Sequence, residues 1–342
     1  MGLPVTVYSY DDPGAPSLGT CKPSEIINIL KKCLIDGYGD KTPAGWTVEF
    51  EDASNAIVFR NSPIEGSGGF VKLWPKSAGD IARDLIFMQT APFINSIDPD
   101  WSLTPGASFR NIFFNGHGNV LRWRMYATSR CFYLFFYGTT SSYGANVAMG
   151  TTSFPSVFVG DFQSFIPGDL NTFVAIGKNS STADEPLNST SYPLALFQIS
   201  VSANLFKAYE TTNFNNYKSI GFQQFGVISQ TWGTTLIADT PPSSFNMMFS
   251  PIILGLSSTY MDQTGSSTNS QYQDSEGTNV CRSMLQPAMR GIMPGLYFSP
   301  FYGCANEPIF YPWIADGVEW HLLGQYHFGG SRTWLTLGDW YA

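Results

Sequence analysis

Chemistry in this sequence would have to start from three histidines, five cysteines and a pair of glycine-flanked aspartates. His117, His321 and His327 are scattered, and only the last two lie near each other along the chain. Metal sites need several ligands at short, repeated spacings. Neither H-E-x-x-H nor H-x-H occurs, so no metal centre and no cofactor is expected. Cys21, Cys33, Cys131, Cys281 and Cys304 contain no C-x-x-C, which argues against a zinc ribbon or a redox pair. Their odd number and wide spacing fit thiols kept reduced in a cytoplasm. Cys21 and Cys33 flank a predicted helix of about 18 Å, at 1.5 Å per residue, too long for a direct bridge.

Hydrolytic chemistry fares no better. There is no G-x-S-x-G nucleophile elbow. Gly66-Ser67-Gly68-Gly69 is followed by no G-K-[ST], so it reads as a hairpin loop and not as a phosphate cradle. Asp161 in Val159-Gly160-Asp161-Phe162 and Asp169 in Pro167-Gly168-Asp169 could form the carboxylate pair of a glycosidase. Both follow a glycine in a turn context, where aspartate normally accepts backbone amides. An enzyme is therefore not expected. The run Trp123, Tyr126, Phe132, Tyr133, Phe135, Phe136, Tyr137 could be a sugar-binding platform. Continuous rather than alternating aromatics point instead to strands buried on both faces. A glycan binder would leave Trp and Tyr exposed beside Asp, Asn or Arg; a structural protein would bury them.

Such residues need elements to hold them, and the composition says which. Aromatic residues make up 15% of the 342-residue chain and charged residues only 13%, with a net charge of −8. This excludes a disordered chain and a coiled coil, and it disfavours a polyanion such as nucleic acid as partner. Aromatic runs punctuated by Gly, Pro, Ser, Thr and Asn are the signature of a β protein. Few charges also suggest that neighbouring subunits cover part of the surface, so a homo-oligomer is expected. No apolar stretch is long enough for a membrane helix, so no membrane insertion is expected. The N-terminus has no basic, apolar leader; Gly2 and Thr6 match only the loose myristoylation pattern.

The expected fold is mainly β: antiparallel, sandwich-like sheets with a small N-terminal α+β unit and one amphipathic helix. Residues 1–75 form that unit. Ser24 is the expected N-cap, and Ile26, Ile27, Leu30, Cys33 and Leu34 make the apolar stripe. Asp36-Gly37 ends the helix. Strand-like runs at 46–51, 56–60 and 69–73 would form a meander beneath it, with Trp46, Val48 and Phe50 facing the helix. Residues 76–178 read as a β domain with strands at 84–90, 112–114, 121–127, 131–137, 157–159 and 173–176. Ala127-Thr128-Ser129-Arg130 is the expected turn of an aromatic hairpin. Residues 179–342 form a further β domain that can merge with the second. Its strands are expected at 194–200, 222–229 and 236–238, with a closing hairpin from 321–326 and 333–337. The polar stretch 257–279 is expected to be an exposed loop that orders against a partner.

Four stretches together resemble a family of virion structural proteins of tailed phages and prophages. They are the helix running into Gly37-Tyr38-Gly39-Asp40-Lys41-Thr42-Pro43-Ala44-Gly45-Trp46; Arg122-Trp123 through Arg130-Cys131-Phe132-Tyr133-Leu134-Phe135; Gly160-Asp161 followed by Gly168-Asp169; and Arg290-Gly291-Ile292-Met293-Pro294-Gly295-Leu296-Tyr297, then Asp316-Gly317 and Leu337-Gly338-Asp339-Trp340. They occur in the family's order across nearly the whole chain. The chain departs at its Trp-Tyr-Ala end, where relatives often finish near Pro-Trp-Arg, at 81–98, and at the 257–279 loop. The resemblance implies a non-enzymatic tail or baseplate component in the virion, made in the host bacterial cytoplasm and partnered by other virion proteins. A capsid decoration protein is the alternative within that class, and a receptor- or glycan-binding module the alternative outside it.

Overall fold

The computed structural model describes residues 2–77, 79–97, 111–114, 120–138, 156–165, 167–169, 172–176, 178–179, 202–204, 219–223, 249–256, 271–273, 279–281, 289–299, 310–325 and 332–342. In chain order the elements are β1 (Thr6–Ser9), α1 (Pro23–Lys31), a single π-helical turn (Lys32–Asp36), β2 (Thr47–Glu51), β3 (Ile57–Arg60), β4 (Phe70–Pro75), β5 (Ile86–Ala91) and β6 (Asn111–Phe114). There follow β7 (Val120–Ala127), β8 (Cys131–Gly138), β9 (Ser156–Asp161), β10 (Gln163–Ser164), β11 (Phe173–Ile176), β12 (Lys178–Asn179), β13 (Ser202–Asn204) and β14 (Ser219–Gln223). The last are β15 (Ser250–Leu256), β16 (Gln271–Gln273), β17 (Asn279–Cys281), β18 (Met289–Ser299), β19 (Pro312–Ala315), β20 (Val318–Gln325) and β21 (Arg332–Thr336).

Among the described residues the protein is mainly β, with three large antiparallel sheets and one short helix, as the composition suggests. One outer sheet runs β12-β6-β5-β4-β3-β2, the central sheet β1-β7-β8-β9-β11, and the other outer sheet β13-β14-β15-β18-β21-β20-β19, with β10 added on β18. The aromatic hairpin is the heart of the central sheet. Phe132, Leu134 and Phe136 pack with α1 and the inner faces of β3, β4 and β5. Cys131, Tyr133 and Phe135 pack the opposite way, against Met293, Leu296, Leu323 and Leu335 of the second outer sheet. Successive side chains on a strand point to opposite faces, so a strand buried on both must be apolar at every position. That is why the aromatic run is continuous, and its rings are not available as a sugar platform: Trp123, Tyr126 and Phe132 to Phe136 are all buried.

Several local expectations need correction. The helix begins at Pro23, with Lys22 in the N-cap position, so Ser24 is not the cap. Proline's fixed φ suits the first helical position, which moves Ser24 into the first turn. There its N–H and Oγ donate to Asp80 at 2.9 and 2.6 Å, while Glu25 accepts from the Thr20 amide at 2.9 Å. The stop at Gly37 is as expected: its N–H donates to Lys32 O at 2.8 Å and its φ is +79°. The 46–51 alternation breaks at a bulge between Val48 and Phe50. The bulge inserts one residue and flips the next side chain to the other face. Val48 therefore packs with the helix-side core and Phe50 with Val58, Phe70 and Ala91 on the far side.

The domain boundaries placed at 75 and 178 do not coincide with breaks in the sheets. β4 pairs with β5 across the first, β1 pairs with β7, and β10 pairs with β18 across the second. The closing hairpin is present as β20–β21, and Thr128 closes the β7–β8 turn through its N–H to Cys131 O at 2.9 Å. The expected strands at 194–200 and 236–238, and most of the 257–279 loop, lie outside the described residues.

Candidate functional site

The residues singled out in the sequence meet at two junctions between sheets, and the first is centred on Asp161. This carboxylate, at the end of β9, is 0% exposed. Oδ2 accepts from Asn61 Nδ2 at 2.8 Å and from the Ser67 amide at 2.9 Å. Oδ1 accepts from Thr172 Oγ1 at 2.8 Å. The Arg130 guanidinium approaches to 3.7 Å and lies over the Tyr341 ring, whose hydroxyl donates to the Asp161 carbonyl. A buried carboxylate is tolerated when its lone pairs are filled and a cation faces it. The Gly66-Ser67-Gly68-Gly69 loop is thus a cradle after all, but for the protein's own aspartate. A Cβ at Gly66 would sit 2.7 Å from Asp161 Oδ2. Asn61, Ser67, Thr172 and Tyr341 were not legible as members of this cluster, because they come from segments far apart in sequence.

Asp169 does not join it. Its Oδ2 accepts from Ser164 Oγ at 2.7 Å in the loop after β10, whereas Asp161 accepts from Asn61, Ser67 and Thr172. Gly160 precedes Asp161 with φ +133°, its Cα against the β7–β8 turn. Gly168 has φ +72° in open space.

The second junction joins the start of the chain to its last strands. Pro294 O accepts from Tyr133 Oη at 2.9 Å. Gly295, at φ +65°, lies under the Trp340 indole, and a Cβ there would fall 2.0 Å from Nε1. Trp340 Nε1 donates to Thr336 O at 3.0 Å, and its backbone pairs with Leu3.

The Gly37–Trp46 loop does neither job but locks the helix in place. Gly39 passes so near Pro13 that a Cβ would meet its carbonyl at 2.3 Å. Tyr38 Oη donates to Asp12 Oδ2 at 2.9 Å. Gly45, at φ +86°, leads into Trp46, whose N–H donates to Leu34 O at 3.1 Å and whose Nε1 donates to Thr128 O at 3.0 Å. The Trp46 ring is 3% exposed and packs on Phe132 and Phe173. Trp46→Ala should cost about 3–5 kcal/mol, read as a lowered urea midpoint at unchanged m-value.

Of the histidines, His117 and His327 lie outside the described residues. His321 on β20 is buried between Tyr126 and Glu319: Tyr126 Oη donates to Nδ1 at 2.6 Å, and Nε2–H donates to Glu319 Oε1 at 2.8 Å. Burial pushes the Tyr126 hydroxyl's pKa upward, so it stays the donor. Burial also lowers the His321 pKa from 6.5, against the opposing pull of Glu319. The folded chain therefore takes up this proton less readily than the unfolded chain. Its contribution is full above about pH 6.5 and shrinks as pH falls from there towards the folded-state value, by at most about 1.4 kcal/mol per pH unit. Urea midpoints measured on either side of pH 6 should show this step, and His321→Gln should remove it.

Burial also raises the thiol pKa values of Cys21, to about 11, and of Cys131, to about 12. Both, with Cys33, are buried, and thiols held protonated by burial act as packing groups rather than nucleophiles. Among the described residues, no group of His, Cys, Asp and Glu has the arrangement to hold a metal, and no helix is long and apolar enough to cross a membrane.

No family model matches the chain. No curated protein matches it either.

Proposed function

We propose that the chain is a non-enzymatic structural component of a tailed-phage virion, in its tail or baseplate region, acting through contacts with copies of itself and with other virion proteins. The observation that carries this reading is the use made of the motif residues. Asp161, Pro294, Gly295 and Trp46 serve joints between layers, and Gly160 lets β9 approach the β7–β8 turn within the central sheet. Asp161, the candidate catalytic carboxylate, has both oxygens occupied by the protein. The aromatic run of β7 and β8 is buried in cores, the arrangement expected of a structural piece rather than a glycan-binding platform.

The sheet edges support the assembly part. Edge strands invite pairing unless charged or covered. β2 is guarded by charge: Glu51 pairs with Lys31 and Glu49 with Arg60. β19, last in its sheet among the described residues, reads Pro312-Trp313-Ile314-Ala315 with no charge, and Ile314 is 73% exposed. A second copy of the chain is the partner this edge suits.

The test has two readouts. Mass spectrometry of purified particles should find the chain in many copies, and light scattering of the pure protein should show an oligomer that Ile314→Asp weakens. Absence from particles would overturn the virion assignment. A monomer at every concentration, in particles or out, would overturn the self-assembly.

A further inference from the structure

The outer face of the sheet holding β4 carries a feature that the structural reading does not use. A cavity of about 280 Å³ is lined by Asp52, Lys72, Trp74, Lys76, Ser77 and Ile97, among others. Lys72 and Trp74 alternate with core-facing Val71 and Leu73, so both point to this outer side. Lys72 is only 2% exposed, a rare state for a lysine. Its Nζ donates to Ile97 O at 2.7 Å and stands 5.2 Å from the Trp74 ring centroid.

The groups around it differ in what they still offer. The Trp74 ring is half-buried and keeps part of its surface at the cavity. Asp52 Oδ1 is occupied by Ser54 and Ala56, whereas Oδ2 has no partner among the described residues. The Asp52 carboxyl is held below its usual range, first by the Ser54 hydroxyl bond and also by the Lys72 charge, so it is an acceptor at neutral pH. Lys76 is exposed and has no ion pair among the described residues. Asp84, the other carboxylate nearby, is engaged by the Ser77 and Leu85 amides at 2.8 Å each. Lys76 thus places an exposed ammonium group at the cavity.

A ligand that satisfies all of these must have a flat apolar face for an indole, a hydroxyl donor for Asp52, and an anion for Lys76 beside Lys72. The volume is at the small end for ligand sites and suits one sugar ring. We propose that this cavity is a binding site for a carboxylate-bearing pyranose, a uronic acid, either free or as a unit of an acidic polysaccharide. Its ring lies on Trp74, a hydroxyl donates to Asp52 Oδ2, and the carboxylate faces Lys76. The site is independent of the assembly role proposed above and survives if that role fails.

Saturation-transfer NMR on the full chain tests it with glucuronate, galacturonate oligomers, glucose, a sugar phosphate and acetate. Both uronates should bind, while glucose and acetate bind about tenfold more weakly. Lys76→Gln, at an exposed position, should lower glucuronate affinity to that of glucose and leave glucose unchanged. Trp74→Phe should weaken both sugars together, and Lys32→Gln, far from the cavity, should change nothing. Tighter binding of oligomers than of glucuronate identifies a polysaccharide as the natural source; equal binding identifies the free sugar acid. No uronate signal at about 10 mM, equal binding of glucuronate and glucose, preference for the phosphate, or a Lys76→Gln protein that binds like the wild type would each overturn the proposal.

Discussion

Gly160→Ala should destabilise the protein by about 4 kcal/mol or more, the sum of backbone strain and overpacking. At φ +133° an L side chain is strained whatever the space around it. Here the space is also filled: a Cβ would lie 2.3 Å from Cys131 Cα and 2.4 Å from Arg130 O. These are backbone atoms of the β7–β8 turn, so no side chain can rotate away to relieve the contact. Gly168→Ala is the control. That residue has φ +72° but nothing within 4 Å, so only the left-handed cost of about 1–2 kcal/mol applies. The two glycines look alike in sequence, each followed by aspartate. Equal losses in the two unfolding curves would show that φ alone, and not the approach of β9 to the turn, sets the requirement for glycine.

Asp161→Ala should cost about 3–5 kcal/mol, the range for removing one member of a buried ion pair. The change leaves Asn61 Nδ2, the Ser67 amide and Thr172 Oγ1 without the acceptor they share, and the Arg130 charge without its counter-ion. Asp161→Asn keeps the volume but turns a donor towards donors, so it should recover only part of the loss. Asp169→Ala, which removes the acceptor of the Ser164 hydroxyl in a partly exposed loop, should cost about 1 kcal/mol or less. Guanidinium unfolding of the four proteins decides the matter. A loss for Asp161→Ala no larger than for Asp169→Ala would mean that the cluster follows from the sheet junction and does not hold it.

The sequence made the β class, the helix stripe and the aromatic hairpin legible, because each is written in local pattern. Phe132 to Phe136 predict burial on both faces from their type alone. Other features depend on partners that local pattern does not carry. β18 carries Gly291, Pro294 and Gly295 and is not legible as a strand in the sequence, yet it is the longest strand among the described residues. Gly291 lets β10 approach, where a Cβ would meet Gln163 O at 2.2 Å, and Gly295 makes room for Trp340. Strand-breaking residues there are the mark of close contact and not of a loop. The bulge that turns Phe50 away from the helix leaves no sign in an otherwise regular alternation. Asp161 was visible as a turn residue, but its occupants were not, since Asn61 and Tyr341 reach it from opposite ends of the chain. The cavity at Trp74 depends on Ile97 closing over Lys72, a contact that no spacing rule foretells.

The backbone pairing of Leu3 with Trp340 bears on the order in which the protein can be made. Translation delivers Leu3 long before Trp340. While the ribosome is still working through β20 and β21, the Tyr133 side of the central sheet lacks Leu323, Leu335 and Trp340, the groups that cover it. The other face, built from α1 and the early strands, is complete much sooner. Synthesis thus yields a half-covered intermediate with a broad aromatic surface, which the last layer covers only once the residues through Trp340 have left the ribosome. Chains that stall or are cleaved before Trp340 retain that surface, and these are the products that chaperones and proteases would meet.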